Sequence, residues 1–348
     1  MTVNTVAPLR IFHLQPGSGV RELAQLPSAP PAQGFYWLAC TRGALQEQLA
    51  SVQAALQAAA GLQLVDLHVS DLLNAQLPSR YDYTSQYDLL VLRRLASAGA
   101  DAAAPLPPLR SGPPVLRRID TSPVGFVVFD QLLLTVHPTD CAVRDAYATR
   151  LLAATPANGN GNSNGTNATA SHAAAHGNAH AGPGMGEGRS SPISGSRLPT
   201  SPADLMLRVV NQMVDGYLDL RRELTRQLDH WQTELLKPRA RYVNWTSLLE
   251  ARLSLHMLDE ICEDQRTAVQ DWIDALETWP LPETPTGLRE LDLLKVRSRD
   301  VLEHIERVVH HVRRLEQSTE TAVQMHFSVQ SNRTNDIMRT LTALTAVF

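Results

Sequence analysis

The sequence predicts an α+β protein, in which a helix-flanked mixed sheet with α/β/α layers precedes a long antiparallel helical hairpin and one very long helix. Three observations predict this class. Short apolar runs alternate with helical patterns up to residue 152, a low-complexity segment follows, and the chain after it has helical patterning throughout. We therefore expect an N-terminal α/β domain at 1–152, a loop at 153–202, a hairpin at 203–280 and a final helix at 285–348.

The first domain is predicted from apolar runs bounded by helical patterns. GFYWLAC, residues 34–40, is a short apolar and aromatic run typical of a strand, and YDLLVLRRL at 87–95 is another. The segment FVVFDQLLLTVH, residues 126–137, predicts two strands joined at Asp130 and Gln131. A helix is expected between the first two runs, because Gly61 follows a set of apolar residues at helical spacing: Leu45, Leu49, Val52 and Leu56.

The segment at 153–202 is predicted to be a disordered loop. It consists mainly of Gly, Asn, Ala, Ser and Pro, and such a composition cannot bury enough apolar surface to offset its conformational entropy. Its histidines at 172, 176 and 180 stand four residues apart, so they could bind one metal ion together only if the segment were helical. The flanking Gly and Asn residues disfavour such a helix.

Two long helices are predicted after the loop. The first opens at Ser201-Pro202, with proline in its first turn, and ends before Pro238. The second runs from about Asn244 to Leu276 and carries many acidic residues, and the two are expected to form an antiparallel hairpin. The segment WPLPETPTG, residues 279–287, ends it because proline cannot continue a helix.

The final helix is predicted to be about 90 Å long, since residues 288–348 contain neither proline nor glycine and a helix rises 1.5 Å per residue. Its far half therefore needs partner chains or a membrane. Steps of four and three define a heptad seam: Leu294, Ser298, Val301, Ile305, Val308, Val312, Leu315, Thr319, Ala322, His326 and Val329. The last nine residues, 340–348, are uncharged, but a bilayer crossing takes about 20 apolar residues.

Composition argues against several classes of protein. A net charge of −4 favours neither nucleic acid nor an anionic membrane surface as a partner. The three cysteines form no CxxC pair, so the sequence indicates no disulfide framework and no thiolate zinc site, and a reducing cytosolic setting fits best. The N-terminus lacks the apolar core of a signal peptide. No phosphate-cradling glycine loop or nucleophile with its base is found, so an enzyme is not expected.

The final helix closes on SNRTNDIMRTLTALTAVF, residues 331–348, which resembles the stalk of the CorA family of magnesium and divalent-cation channels. The family pattern is matched by a set of residues near the end of the chain: Ser331, Asn332, Asn335, Met338, Leu341 and Thr342. Earlier pieces agree in order, from GLQLVDLHVSDLLN at 61–74 through SPADLMLRVVNQMVDGYLDL at 201–220 to RDVLEHIERV at 299–308. The resemblance thus extends along nearly the whole chain.

The resemblance implies a function in ion transport. It implies that the chain is the cytoplasmic sensing and assembly domain of a CorA-like channel for Mg²⁺, with Co²⁺ and Ni²⁺ as further cargo. It also implies a homopentamer at the cytoplasmic face of the plasma membrane, with the stalks lining its axis. The family's Gly-Met-Asn signature and both membrane helices are expected after Phe348.

The resemblance also implies two sets of site residues. Asp71, in SDLLN, and Asp300, in SRDVL, match the carboxylates that share a regulatory Mg²⁺ between adjacent subunits. Without the resemblance, each would be interpreted as a solvated or capping carboxylate. The pore-lining positions are Asn335, Met338, Leu341 and Thr345, which lie near one face of the helix and would otherwise indicate helix–helix core.

Two alternatives stay open at this stage. One is a zinc-transporting relative of the same architecture, for which the stalk histidines His304, His310, His311 and His326 offer softer ligands, although neighbouring positions 310 and 311 point apart. The other is a soluble coiled-coil structural protein, which explains the heptads but not the uncharged last turns.

Overall fold

The computed structural model describes residues 7–15, 19–96, 120–140, 142–154, 198–235 and 245–347. The predicted disorder of the loop at 153–202 therefore lies outside the described residues, apart from the two ends of that segment.

Among the described residues, seven strands form one mixed sheet. The strands are β1 Leu9–Gln15, β2 Gly19–Leu23, β3 Phe35–Thr41, β4 Arg80–Tyr83, β5 Asp88–Leu95, β6 Thr121–Val128 and β7 Leu132–His137. Their order across the sheet is β2-β1-β3-β7-β6-β5-β4. The central pair, β3 and β7, runs parallel, with Leu38 opposite Leu134, and the other neighbouring pairs are antiparallel. The three apolar runs that predicted strands all lie in this sheet.

In the part of the chain that the structure describes, four shorter helices accompany the sheet: α1 Arg42–Glu47, α2 Leu49–Ala60, α3 Asp66–Leu73 and α4 Ala142–Ala153. The single helix predicted before Gly61 is two helices, which meet at Gln48. The Thr41 hydroxyl accepts the Ala44 N–H at 3.0 Å and caps the first of them. Gly61 ends the second with a left-handed φ of 75°, and its N–H donates to the Gln57 carbonyl at 3.1 Å.

The sheet has a hydrophobic core on each face. On one face, α1, α2 and α3 cover the sheet, and their buried residues Leu45, Leu56 and Leu72 pack with sheet residues such as Leu38 and Leu134. On the other face, the long C-terminal helices pack on a second cluster of buried residues: Trp37, Phe126, Leu133, Tyr217, Trp272 and Val308. Because both faces are covered by helices, the layered arrangement predicted from the sequence is confirmed.

The C-terminal part consists of three long helices, α5 Pro202–Leu235, α6 Trp245–Thr278 and α7 Pro285–Val347. Contacts between them give their directions. Arg313 pairs with Asp259 at 3.1 Å, whereas Ser298, earlier in α7, contacts Trp272, later in α6, so these two helices are antiparallel. Arg297 pairs with Asp204, and His311 contacts Thr225 at 2.7 Å, so α5 and α7 run in the same direction. Helices α5 and α6 therefore run in opposite directions, as predicted, and α7 packs against both of them.

The start of α5 is tied to α7 through Asp204. The Ser201 hydroxyl accepts the Asp204 N–H at 3.1 Å, and the Asp204 carboxylate accepts the Thr200 N–H at 3.2 Å, which together cap the helix. The same carboxylate is only 2% exposed and pairs with Arg208 at 3.1 Å and with Arg297 of α7. The negative charge of this buried carboxylate is compensated by two cations and a backbone donor. Its ion pair with Arg297 therefore fixes where α7 lies along α5.

The heptad seam of α7 faces the other two long helices of its own chain. Eight seam positions are buried: Leu294, Ser298, Val301, Ile305, Val308, Val312, Leu315 and Thr319. The side chains of the last three seam positions, at 322, 326 and 329, lie outside the described residues. Beyond residue 319, most described side chains of α7 are exposed. The seam therefore holds the first half of α7 to α5 and α6, and the second half extends past them.

Candidate divalent-cation site

Helix α3 carries Asp71 and lies close to the sheet. Its inward side chains, His68, Val69 and Leu72, are buried, and Leu72 lies over Gly125 of β6. A Cβ atom at position 125 would come within 2.2 Å of Leu72 Cδ2. Glycine at this position therefore permits the close approach that sets the height of α3, and of Asp71, above the sheet.

Asp71 stands beside an arginine that bridges two carboxylates. The Asp71 side chain is 11% exposed, and its Oδ2 atom is buried without a hydrogen bond from a described residue. Arg80 Nη1, on β4, lies 3.4 Å from this oxygen. The other terminal nitrogen of Arg80 donates to Asp82 Oδ2 at 2.7 Å. The guanidinium group is thus hydrogen-bonded to Asp82 and placed more loosely against Asp71.

A buried histidine also contacts the Asp82 carboxylate. His68 is 3% exposed, and its Nε2 atom lies 3.6 Å from Asp82 Oδ2. Its Nδ1 atom lies 2.9 Å from the Tyr87 hydroxyl, which also accepts the Val65 N–H at 3.1 Å. Burial raises the pKa of Tyr87, so the hydroxyl stays protonated and can both donate and accept. These contacts fix the side of α3 that carries Asp71.

Asp300 lies on the opposite side of the molecule, on α7. Its side chain is 59% exposed, and His304 Nε2, one turn along the helix, is 3.8 Å away. Burial raises the pKa of Asp215 of α5, His304 lowers it, and the charges of Asp219 and Asp300 raise it further, so Asp215 interacts with both Asp300 and His304. Asp300 is therefore open to solvent and has a second carboxylate and an imidazole near it.

The sheet separates Asp71 from Asp300 within one chain. Helix α3 packs on one face, whereas α7 belongs to the layer on the other face. Within the described ranges, no group of three or more histidine, cysteine, aspartate or glutamate side chains is arranged to hold a metal ion. An ion shared by Asp71 and Asp300 would therefore have to lie between two copies of the chain.

An acidic cleft lies at the end of the sheet nearest the α6–α7 connection. Its described lining includes five carboxylates, from Asp82, Asp88, Asp130, Asp271 and Asp274, and no lysine or arginine. Burial raises the pKa of Asp88, and the hydrogen bond that the Tyr81 hydroxyl donates to its carboxylate offsets part of this rise. The cleft repels anions, and it borders the Arg80 and Asp82 pair on one side.

The four predicted pore-lining residues all lie on the exposed second half of α7. Asn335 and Thr345 are exposed, and Met338 and Leu341 are 62% and 58% exposed. The Thr345 hydroxyl donates to the Leu341 carbonyl at 3.0 Å, so its polar group is satisfied within the helix. Further large apolar side chains in this half are also exposed: Met325, Phe327, Ile337 and Leu344. No helix in the described part of the chain is both long enough and apolar enough to cross a membrane.

Comparisons with known proteins agree with the resemblance. Residues 190–348 match the family model described as CorA-like Mg²⁺ transporter protein. The complete CorA magnesium transporter from Methanocaldococcus jannaschii is similar in structure, with 14% identity and a TM-score of 0.63, over 99% of this chain and 84% of that one. The full-length CmaX protein has 14% identity and a TM-score of 0.62, over 97% and 82%.

The soluble domain of the Methanocaldococcus jannaschii CorA has 12% identity and a TM-score of 0.53, over 91% of this chain and 98% of that one. No curated protein sequence matches the chain. At these identities the likeness to solved structures establishes the fold, and the α+β class predicted from the sequence is confirmed. The predicted resemblance to the CorA family is confirmed by the family match over the three long helices.

Proposed function

Because residues 190–348 match the family model of CorA-like Mg²⁺ transporters, we propose that the chain is the cytoplasmic domain of a CorA-like divalent-cation transporter. In this proposal the domain senses Mg²⁺ and assembles as a homo-oligomer, five-fold by family resemblance, at the cytoplasmic face of the plasma membrane. The transported ion is the substrate. We propose Mg²⁺ as the main substrate and Co²⁺ or Ni²⁺ as additional ones. The chain contributes regulation of transport and no catalysis.

The observation that supports this proposal most directly is the free half of α7. Its first half is buried against α5 and α6, but beyond Thr319 the apolar residues Met338 and Leu341 are exposed and are not covered by any described part of the chain. A monomeric protein gains nothing from an isolated helix with such a surface, whereas a ring of these helices would bury it. In that ring, Asn335 amides would contact a hydrated cation, and Met338 and Leu341 would close the passage by excluding water.

The two predicted regulatory carboxylates fit a hard divalent ion. Asp71 Oδ2 is a buried oxygen without a hydrogen bond from a described residue, and Asp300 offers a 59% exposed carboxylate on a face that a second copy can reach. Magnesium prefers oxygen ligands and usually keeps several waters beside one or two carboxylates. Two carboxylates by themselves favour Mg²⁺ over Zn²⁺, which prefers nitrogen and sulfur ligands and would also need His304, whose Nε2 atom lies 3.8 Å from Asp300. The bound ion would supply positive charge between two subunits, and without it the carboxylates would repel each other.

Thermal melts of this chain with and without magnesium chloride test the proposal. If Mg²⁺ binds only the folded assembly, it should add roughly 2.7 kcal/mol to the free energy of unfolding at one hundred times the dissociation constant. Asp300→Ala should lose most of that gain. Asp292→Ala, which removes an exposed carboxylate two turns earlier on the same helix, is the matched control and should keep it.

Sedimentation velocity of the same samples should show a larger assembly with Mg²⁺ for the wild type and the control. Equal magnesium stabilisation of the wild type and Asp300→Ala, or stabilisation of neither, would contradict the proposed site.

A further inference from the structure

Arg80 occupies the position that an ion at Asp71 would need. Its Nη1 atom is 3.4 Å from Asp71 Oδ2, and that oxygen accepts no hydrogen bond from a described residue. A guanidinium group beside a carboxylate neutralises much of the attraction that the carboxylate offers to a metal cation. The 11% exposure of the Asp71 side chain leaves little room for an approach from another side.

We propose that Arg80 is a built-in competitor of the divalent cation at Asp71, and that it sets the Mg²⁺ concentration at which the site fills. This inference rests on the proposed function, because it assigns a role to Arg80 only if Asp71 binds an ion. The ion reaches Asp71 when the guanidinium withdraws, so the observed affinity is lower than the carboxylates alone would give.

The two contacts of Arg80 differ in a way that permits this withdrawal. The contact with Asp82, at 2.7 Å, is a short charge-assisted hydrogen bond, whereas the contact with Asp71, at 3.4 Å, is an ion pair without a hydrogen bond. Asp82 is itself positioned by the Tyr83 N–H, which donates to Oδ1 at 2.9 Å, and by His68. Arg80 is also 38% exposed, so its side chain can move outward while it stays paired with Asp82.

The direction of the effect follows from charge. With Arg80 in place, a dication at Asp71 meets a positive charge a few ångströms away, and this repulsion is only partly screened because the Asp71 side chain is largely buried. Without Arg80, the ion meets Asp71 and the nearby Asp82 carboxylate. Removal of the guanidinium should therefore tighten Mg²⁺ binding by about tenfold.

Magnesium titrations by isothermal calorimetry test this on the whole chain. Arg80→Gln should lower the Mg²⁺ concentration at half-saturation by about tenfold relative to the wild type. Arg80→Lys keeps the positive charge but cannot form two parallel hydrogen bonds as a guanidinium does. Its Mg²⁺ concentration at half-saturation should therefore lie between those of Arg80→Gln and the wild type. The matched control is Arg313→Gln, because Arg313 also bridges two carboxylates, of Asp259 and Glu263, but lies on the α6–α7 contact.

Asp71→Ala separates failure of this inference from failure of the proposed function. If Asp71→Ala abolishes the magnesium response and Arg80→Gln leaves the half-saturation unchanged, the competitor role is wrong while the site stands. If Asp71→Ala leaves the response intact, the site itself is wrong. Should Arg80→Gln fail to fold, the Arg80→Lys titration decides, and an affinity equal to that of the wild type overturns the inference.

Discussion

Replacement of Ser298 by alanine tests how much the hydrogen bonds of this buried polar residue of the seam contribute to the stability of the fold. The Ser298 hydroxyl accepts the indole N–H of Trp272 at 3.0 Å and donates to the Leu294 carbonyl at 2.9 Å. Both the serine and the tryptophan are 0% exposed. Ser298→Ala therefore leaves the indole N–H buried without an acceptor, whereas the Leu294 carbonyl is still in the helical hydrogen-bond ladder.

The expected magnitude combines two opposing terms. An unsatisfied buried donor costs about 1–3 kcal/mol. Alanine favours helix over serine by roughly 0.5 kcal/mol, which offsets part of this cost. We expect Ser298→Ala to lower the free energy of unfolding by about 1–2 kcal/mol. Ser331→Ala, at an exposed position of the same helix, should change it by less than about 0.5 kcal/mol.

A double-mutant cycle with Trp272→Phe isolates the hydrogen bond. Phenylalanine has no N–H, so in that background Ser298→Ala should cost nothing or stabilise slightly, and the coupling energy should be about 1–2 kcal/mol. The cavity left by Trp272→Phe is present on both sides of the cycle and cancels. Urea unfolding followed by far-UV circular dichroism gives the four values, with equal m-values as the check. An equal cost of Ser298→Ala in both backgrounds would refute the reasoning.

Two further predictions concern α3 and the acidic cleft. Gly125→Ala should cost about 1–3 kcal/mol, because its methyl group would overlap buried Leu72. In thermal melts, the control Gly43→Ala, where the added Cβ meets nothing, should be neutral or stabilising, and equal losses would contradict the explanation. Burial raises the pKa of Asp88, so the folded state binds more protons than the unfolded state and stability falls as pH rises from the usual pKa to the raised one. Asp88→Asn keeps an acceptor for Tyr81 and should remove that fall in urea unfolding across this pH range, whereas an unchanged profile would contradict it.

Much of the architecture could be predicted because its elements bury continuous apolar runs. The residues of β3, β5, β6 and β7 are mostly buried, so the runs at 34–40, 87–95 and 126–137 stand out in the sequence. The seam of α7 was visible for the same reason. The strands β1, β2 and β4 lie toward or at the edges of the sheet. Strands β1 and β2 mix buried with more exposed positions and β4 has no buried position, so none of them has a continuous buried run.

The surroundings of the candidate site could not be predicted from the sequence. Arg80 and Asp82 are two residues apart on β4, a spacing that places both side chains on one side of the strand, but only the fold brings that side to Asp71. Asp71 and Asp300 are 229 positions apart in the sequence, and only the topology of the fold shows that the sheet lies between them. The residue assignments of the site rest on the resemblance and stay predictions.

The unbroken length of α7 has a mechanical consequence. The helix has 63 residues, and Thr319 is the last of its described residues that is buried, so the stretch from there to Val347 is a lever arm of about 42 Å. A bend of about 5° at this pivot moves the tip sideways by about 4 Å, if the stretch beyond it stays straight. The tip therefore moves by several ångströms for a bend of only a few degrees, without any movement of the packed half of the helix.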